Sequence, residues 1–201
     1  DEERFFQFKE YKNAYTTLKI AMQLISYAHY PTKIDLESFF MQDTPEENLQ
    51  GILTATQDSL HNPFLDIYQS YLLSKLNWGN YGLVGISIIH AGQVIPGLTL
   101  ARILRKRYPH LHIVIGGSVL ARHQDILKDK KILFEEMFHS IVLFEGEYPL
   151  DQLLKRLKSG DPLDTVPNLI YIKNGEVTRN PTAKALPYDQ LACPNFDDLP
   201  L

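Results

Sequence analysis

The chain has 201 residues, 44% hydrophobic and 22% charged, with 11 Gly, 12 Pro and one Cys. A chain of this size hides roughly 70% of its unfolded surface and needs no staples to hold a core, and its apolar fraction excludes wholesale disorder. Cys193 alone excludes a disulfide framework and any multi-thiolate cluster made by this chain by itself, and the net charge of −4 gives no support to general nucleic-acid binding. No apolar run reaches the ~18 residues of a membrane span, so neither nucleic acid nor membrane is expected as a partner. No signal peptide and a cytoplasmic location are expected.

In chain order, Glu2 to Tyr30 reads as a helix. Leu18, Ala21, Met22, Ile25 and Ala28 share one face, and the aromatic start (Phe5, Phe6, Phe8, Tyr11, Tyr15) is expected to pack against something. Pro31 ends it. Lys33 to Phe40 reads as a short extended piece. Thr44-Pro45-Glu46-Glu47 carries the cap, proline and acids of a helix start, with the helix running towards Leu60. Asn62-Pro63 interrupts it, and a third helix is expected from Phe64 to about Leu76.

From here the pattern alternates. Leu83 to Ile89 is a buried strand. Ile95 to Tyr108 is an amphipathic helix with Leu98, Ala101, Ile103 and Leu104 inward. Its Arg102, Arg105, Lys106 and Arg107 read as a solvated face. His112 to Ile115 is a second strand, Gln124 to Lys130 a short crossover helix, Ser140 to Phe144 a third strand and Leu150 to Lys158 a further helix. Strands alternating with helices imply right-handed crossovers and a parallel sheet covered on both faces. Lys173-Asn174-Gly175 between two alternating runs predicts a hairpin. The tail from Asn180 reads as a linker or strap. The expected fold is α/β, a flavodoxin-like (Rossmann-like) parallel sheet. Residues 1–80 form an N-terminal helical portion, 81–160 the α/β core, and 161–201 a β-hairpin plus linker.

In open parallel sheets, ligands bind beyond the carboxyl ends of the strands. Three loops lie there: His90-Ala91-Gly92-Gln93, Gly116-Gly117-Ser118-Val119-Leu120 and Glu145-Gly146-Glu147-Tyr148. Each carries a glycine, which lets backbone approach a ligand. Taken one at a time, such glycines also serve as plain turn residues. Neither a Gly-x-Gly-x-x-Gly fingerprint nor a Walker loop is present, so a phosphate cradle is weakly supported. The loops suit a bulky, partly apolar ligand.

Val84-Gly85-Ile86-Ser87, then Gln93-Val94-Ile95-Pro96, Val114-Ile115-Gly116-Gly117-Ser118 and Phe144-Glu145-Gly146-Glu147 resemble the N-terminal cobalamin-binding domain of cobalamin-dependent radical S-adenosylmethionine enzymes. Val166-Pro167-Asn168-Leu169 and the run Pro194 to Leu201 resemble the bridge to the radical domain of that family. The likeness extends from about Gly82 to Leu201.

The resemblance implies that Ser87-Ile88-Ile89 lies beside the nucleotide tail of cobalamin and that Gly116-Gly117 lets the tail pass. It places Glu145-Gly146-Glu147 at the border of the same pocket. His90, Gln93, Ser118 and Val119 complete the implied cofactor-binding set. The Asp-x-His-x-x-Gly motif that supplies a cobalt-ligating histidine in many corrinoid carriers is missing, so no protein metal ligand is implied; His90 and Gln93 are outside candidates. A [4Fe-4S] cluster with S-adenosylmethionine would need three thiolates. With Cys193 alone, both are expected in a radical domain outside this segment, where methyl transfer is a typical reaction. The non-Met start and the Leu-Pro-Leu end are then expected of a piece that lacks a first strand and a radical domain. Two other readings stay open: a non-enzymatic corrinoid carrier or sensor, and a nucleotide- or sugar-nucleotide-binding α/β enzyme domain. Glu145 and Glu147 have no partner base or nucleophile, and no catalytic residue is assigned in the segment.

Overall fold

The computed structural model describes residues 6–41, 48–127, 129–191 and 193. Helix α1 (Phe8–Ala28) has no buried residue. Of the aromatic start, Phe5 lies outside the described residues; Phe6, Phe8, Tyr11 and Tyr15 are exposed, Phe8 at 78%, and Tyr11 and Tyr15 stack on each other. Lower down, the Ser26 hydroxyl donates to the Ile34 carbonyl and accepts from the Ile34 amide. That joins α1 to a two-stranded ribbon of β1 (Lys33–Ile34) and β2 (Phe39–Phe40).

Helix α2 (Leu49–Ala55) is capped by the Asn48 side chain, which accepts from the Gln50 amide. The cap expected at Thr44 to Glu47 lies outside the described residues. Helix α3 (Pro63–Ile67) starts on Asn62, continues through a π-helical turn (Tyr68–Leu72) and ends with Leu73–Lys75. Asn62 is fully buried. Its Oδ1 accepts from the Phe64 amide, and its Nδ2 donates to the Ala55 carbonyl and Thr99 Oγ1, so every strong polar atom is used.

The alternating part follows: β3 (Leu83–Ser87), α4 (Val94–Arg107), β4 (His112–Gly116), α5 (Ser118–Arg122), α6 (Gln124–Leu127), α7 (Lys131–Glu136), β5 (Ser140–Val142), α8 (Glu147–Ser159), β6 (Leu169–Lys173) and β7 (Glu176–Arg179). They form one α/β unit around an open five-stranded sheet of order β3-β4-β5-β6-β7. The sheet, expected to be parallel, is mixed. β3, β4 and β5 are parallel, but β6 is antiparallel to β5 and β7 to β6. The hairpin extends the sheet instead of standing beside it. Its turn is the one foreseen, with Asn174 and Gly175 both at positive φ, the conformation of a tight hairpin turn.

Strand alternation sorts the sheet into two faces. On one, Ile113, Ile115, Ile141, Leu143 and Ile170 pack under Leu98, Ala101 and Leu104 of α4 and Leu133 and Phe134 of α7. On the other, Val114, Val142, Leu169 and Tyr171 meet Leu153 of α8. This second face is covered in part only: Gly85 and Ser87 of β3 are exposed. Full cover of both faces was expected.

Two arginines read as solvated are structural. Arg102 is half-buried; it donates to the Leu53 carbonyl and Thr56 Oγ1 and pairs with Glu136. Arg105 Nε donates to the Glu135 carbonyl. Together they clamp α4 to α2 and α7. The tail begins as a strap: Asn180 is buried, its Nδ2 donates to the Leu163 and Val166 carbonyls, and its amide donates to the Leu169 carbonyl, while the bridge expected at Pro194 to Leu201 lies outside the described residues.

Candidate functional site

A cleft of about 410 Å³ opens on the half-covered face, at the carboxyl ends of β3, β4 and β5. Its size falls in the ~300–1,000 Å³ range of ligand sites. Strand register explains its position. Ser87 stands opposite Gly116 and Gly85 opposite Val114, so three of these four residues on one face of two neighbouring strands are small. Val142, Phe144, Gly146 and Leu150 form the opposite wall, where the chain leaves β5 and enters α8. Among the described residues, no lining side chain is charged.

The glycines divide into two kinds. At Gly117, φ is +105°, and a Cβ would sit 2.2 Å from the Ile88 carbonyl oxygen; the fold itself demands glycine. At Gly85, Gly116 and Gly146, φ lies outside the left-handed range. A Cβ there would touch only Val114 Cγ1 at 3.8 Å, the Val142 oxygen at 3.9 Å and Val142 Cγ1 at 3.9 Å. Backbone and packing would accept alanine at all three. Their missing side chains keep the cleft empty.

Of the residues expected to hold a ligand, Ser87, Gly116, Gly117 and Gly146 line this cleft. The Ser87 hydroxyl has no hydrogen-bond partner among the described residues. Ile88 lies on the other face at 0% exposure, and Val119 packs against the same core. Ile89 and Ser118 meet at the rim, where the Ser118 hydroxyl donates to the Ile89 carbonyl.

His90 and Gln93 brace each other's loop. His90 Nδ1 accepts from the Gly92 amide at 3.2 Å, and Gln93 Oε1 accepts from the Ile89 and His90 amides. Nδ1 of His90 is thus engaged within its own loop. Glu145 and Glu147 border a separate cavity of about 20 Å³ with Lys184 and Leu191. Among the described residues, no group of three or more His, Cys, Asp or Glu is placed to hold a metal ion.

Sequence reasoning did not include Gly85, Val142, Phe144 or Leu150 in the site. A glycine inside a strand is a readable sign of close approach, so Gly85 was within reach. Phe144 was not: its left-handed φ of 59° leaves no mark in the sequence.

At the amino ends of the same strands stands a histidine pair. The rings of His112 and His139 stack 4.9 Å apart. His112 Nε2 and Ser140 Oγ share a hydrogen bond of 2.8 Å, and His139 Nδ1 accepts from the Ile113 amide at 3.0 Å. Burial, with Arg105 close by, pushes His112 down to about 4. The same causes, with His112 itself, push His139 down to about 3. Both rings are neutral at neutral pH and serve the fold.

No family model matches the chain, and no curated protein matches it. No helix among the described residues is long and apolar enough to cross a membrane.

Proposed function

We propose that this chain is a cobalamin-binding module with a Rossmann-like, flavodoxin-type core, of the kind that works beside a radical S-adenosylmethionine domain. The observation that carries the reading is the trio Gly85, Gly116 and Gly146, which open a slot that the fold does not require. The position, at the carboxyl ends of parallel strands, is where such sheets take ligands. The uncharged lining suits the aromatic base of a cobalamin tail better than the phosphates of a nucleotide.

In this reading Gly85 and Gly116 form the floor, Ser87 offers its free hydroxyl at the lip, and Val142 and Leu150 supply the apolar wall. The segment's task is to hold and orient; the glycine floor and apolar wall would bury the tail and keep water from the slot. The bound corrinoid would supply a cobalt centre able to carry a methyl group. The iron–sulfur cluster needs thiolates that one cysteine cannot provide, so the cluster, and the S-adenosylmethionine that works with it, belong to a partner domain.

The test is retention of colour. Protein mixed with hydroxocobalamin and passed through gel filtration should elute coloured at one equivalent, and Gly85→Leu protein should elute colourless with the same circular dichroism spectrum. A colourless wild-type fraction sinks the proposal.

A further inference from the structure

Phe144 combines three properties that the fold leaves unaccounted for. Its backbone sits at φ 59°, a conformation unfavourable for any bulky L-residue. The residue is 45% exposed and lines the cleft. No other aromatic ring among the described residues meets it. The strain is held from outside: the Leu143 amide donates to the Asn168 carbonyl, and Asn168 Oδ1 accepts from the Ala183 amide. Glycine would satisfy that backbone at lower cost, and a half-exposed ring contributes little to packing. Backbone strain kept at a cleft marks a side chain used for binding.

We infer that Phe144 is a stacking residue for the flat heteroaromatic base of the ligand's tail. This inference rests on the cobalamin reading and adds the side chain that recognises the base. The geometry is a slot with a glycine floor at Gly85 and Gly116 and an aromatic wall at Phe144. A planar ring placed between them would meet no charged side chain among the described residues. Base–aromatic contacts of this kind contribute enough to be read in binding assays.

The experiment compares wild-type, Phe144→Gly and Phe144→Leu protein. Each is titrated by absorbance with hydroxocobalamin and with cobinamide, which lacks the base, and each is melted without ligand. Phe144→Gly should melt at or above the wild-type temperature and bind hydroxocobalamin about tenfold more weakly, with Phe144→Leu between them. Cobinamide affinity should be the same in all three. A melting temperature lowered by more than about 5 °C in Phe144→Gly makes the ring a packing group and overturns the inference. Unchanged hydroxocobalamin affinity overturns it, as does an equal loss for cobinamide, which would place the ring against the macrocycle. Wild-type protein that binds neither corrinoid overturns the cobalamin reading and this inference with it; binding that ignores Phe144 overturns the inference alone.

Discussion

At the amino ends of β4 and β5, His112, His139 and Ser140 fill the space with rings and paired polar atoms. At the carboxyl ends of the same strands, glycines leave the space open and Phe144 stands in a strained conformation. The first end is packed, with one nitrogen of each ring in a hydrogen bond. The second departs from good packing in several neighbouring residues at once. Local rules that fail together at one place point to function, because packing alone would have corrected them.

The sharpest break in this comparison is Gly117→Ala. It belongs to the cleft by position but to the fold by need, with a Cβ 2.2 Å from the Ile88 oxygen. It should cost upwards of about 3 kcal/mol, a fall of roughly 10 °C in melting temperature, measured by calorimetry.

Acid should come next and act at the other end. Both histidines have folded values below their unfolded value of 6.5, so the unfolded chain binds more protons as pH falls. Stability is therefore complete above about pH 6.5 and is lost as pH drops from there towards 4. The loss should reach up to about 2 kcal/mol per histidine at pH 5. His139→Asn keeps an acceptor for the Ile113 amide and removes a titrating group. Its melting temperature should fall less between pH 7.5 and pH 5; a slope equal to wild type would assign the acid sensitivity elsewhere.

Gly116→Ala sharpens the contrast with Gly117. Its Cβ has room, so its melting temperature should stay level or rise by about 1–3 °C, through a stiffer unfolded chain. Hydroxocobalamin binding, read by absorbance, should nonetheless weaken about tenfold. Ser140→Ala, which takes the hydroxyl from His112 Nε2, has the smallest expected effect. A loss of about 1 kcal/mol, seen in denaturant titration, is expected with no change in ligand affinity.

Periodicity located the three parallel strands and α4 to within a residue or two, because their apolar runs are long and bounded by glycine or proline. Helix α7 escaped notice since Lys131 to Glu136 is too short to show a period. The hairpin at Asn174-Gly175 was readable from its turn, but its place beside β5 was not, because strand order is fixed by tertiary packing. The loops around the cleft were readable from their glycines. Which glycines serve the fold and which serve the space depends on neighbours far apart in sequence, such as Ile88 against Gly117. Arg102 looked solvated because a helix pattern cannot show that Glu136 and the Leu53 carbonyl approach from other elements.

Helix α1, with no buried residue, keeps time differently from the sheet. Amide hydrogens of β4, which lies between two parallel partners with Ile113, Val114 and Ile115 buried, should exchange with deuterium only when the whole domain opens. Along the upper turns of α1, the backbone bonds are the main protection, and a helix so held opens a few residues at a time. Its labels should wash out orders of magnitude earlier, giving two exchange clocks within one chain.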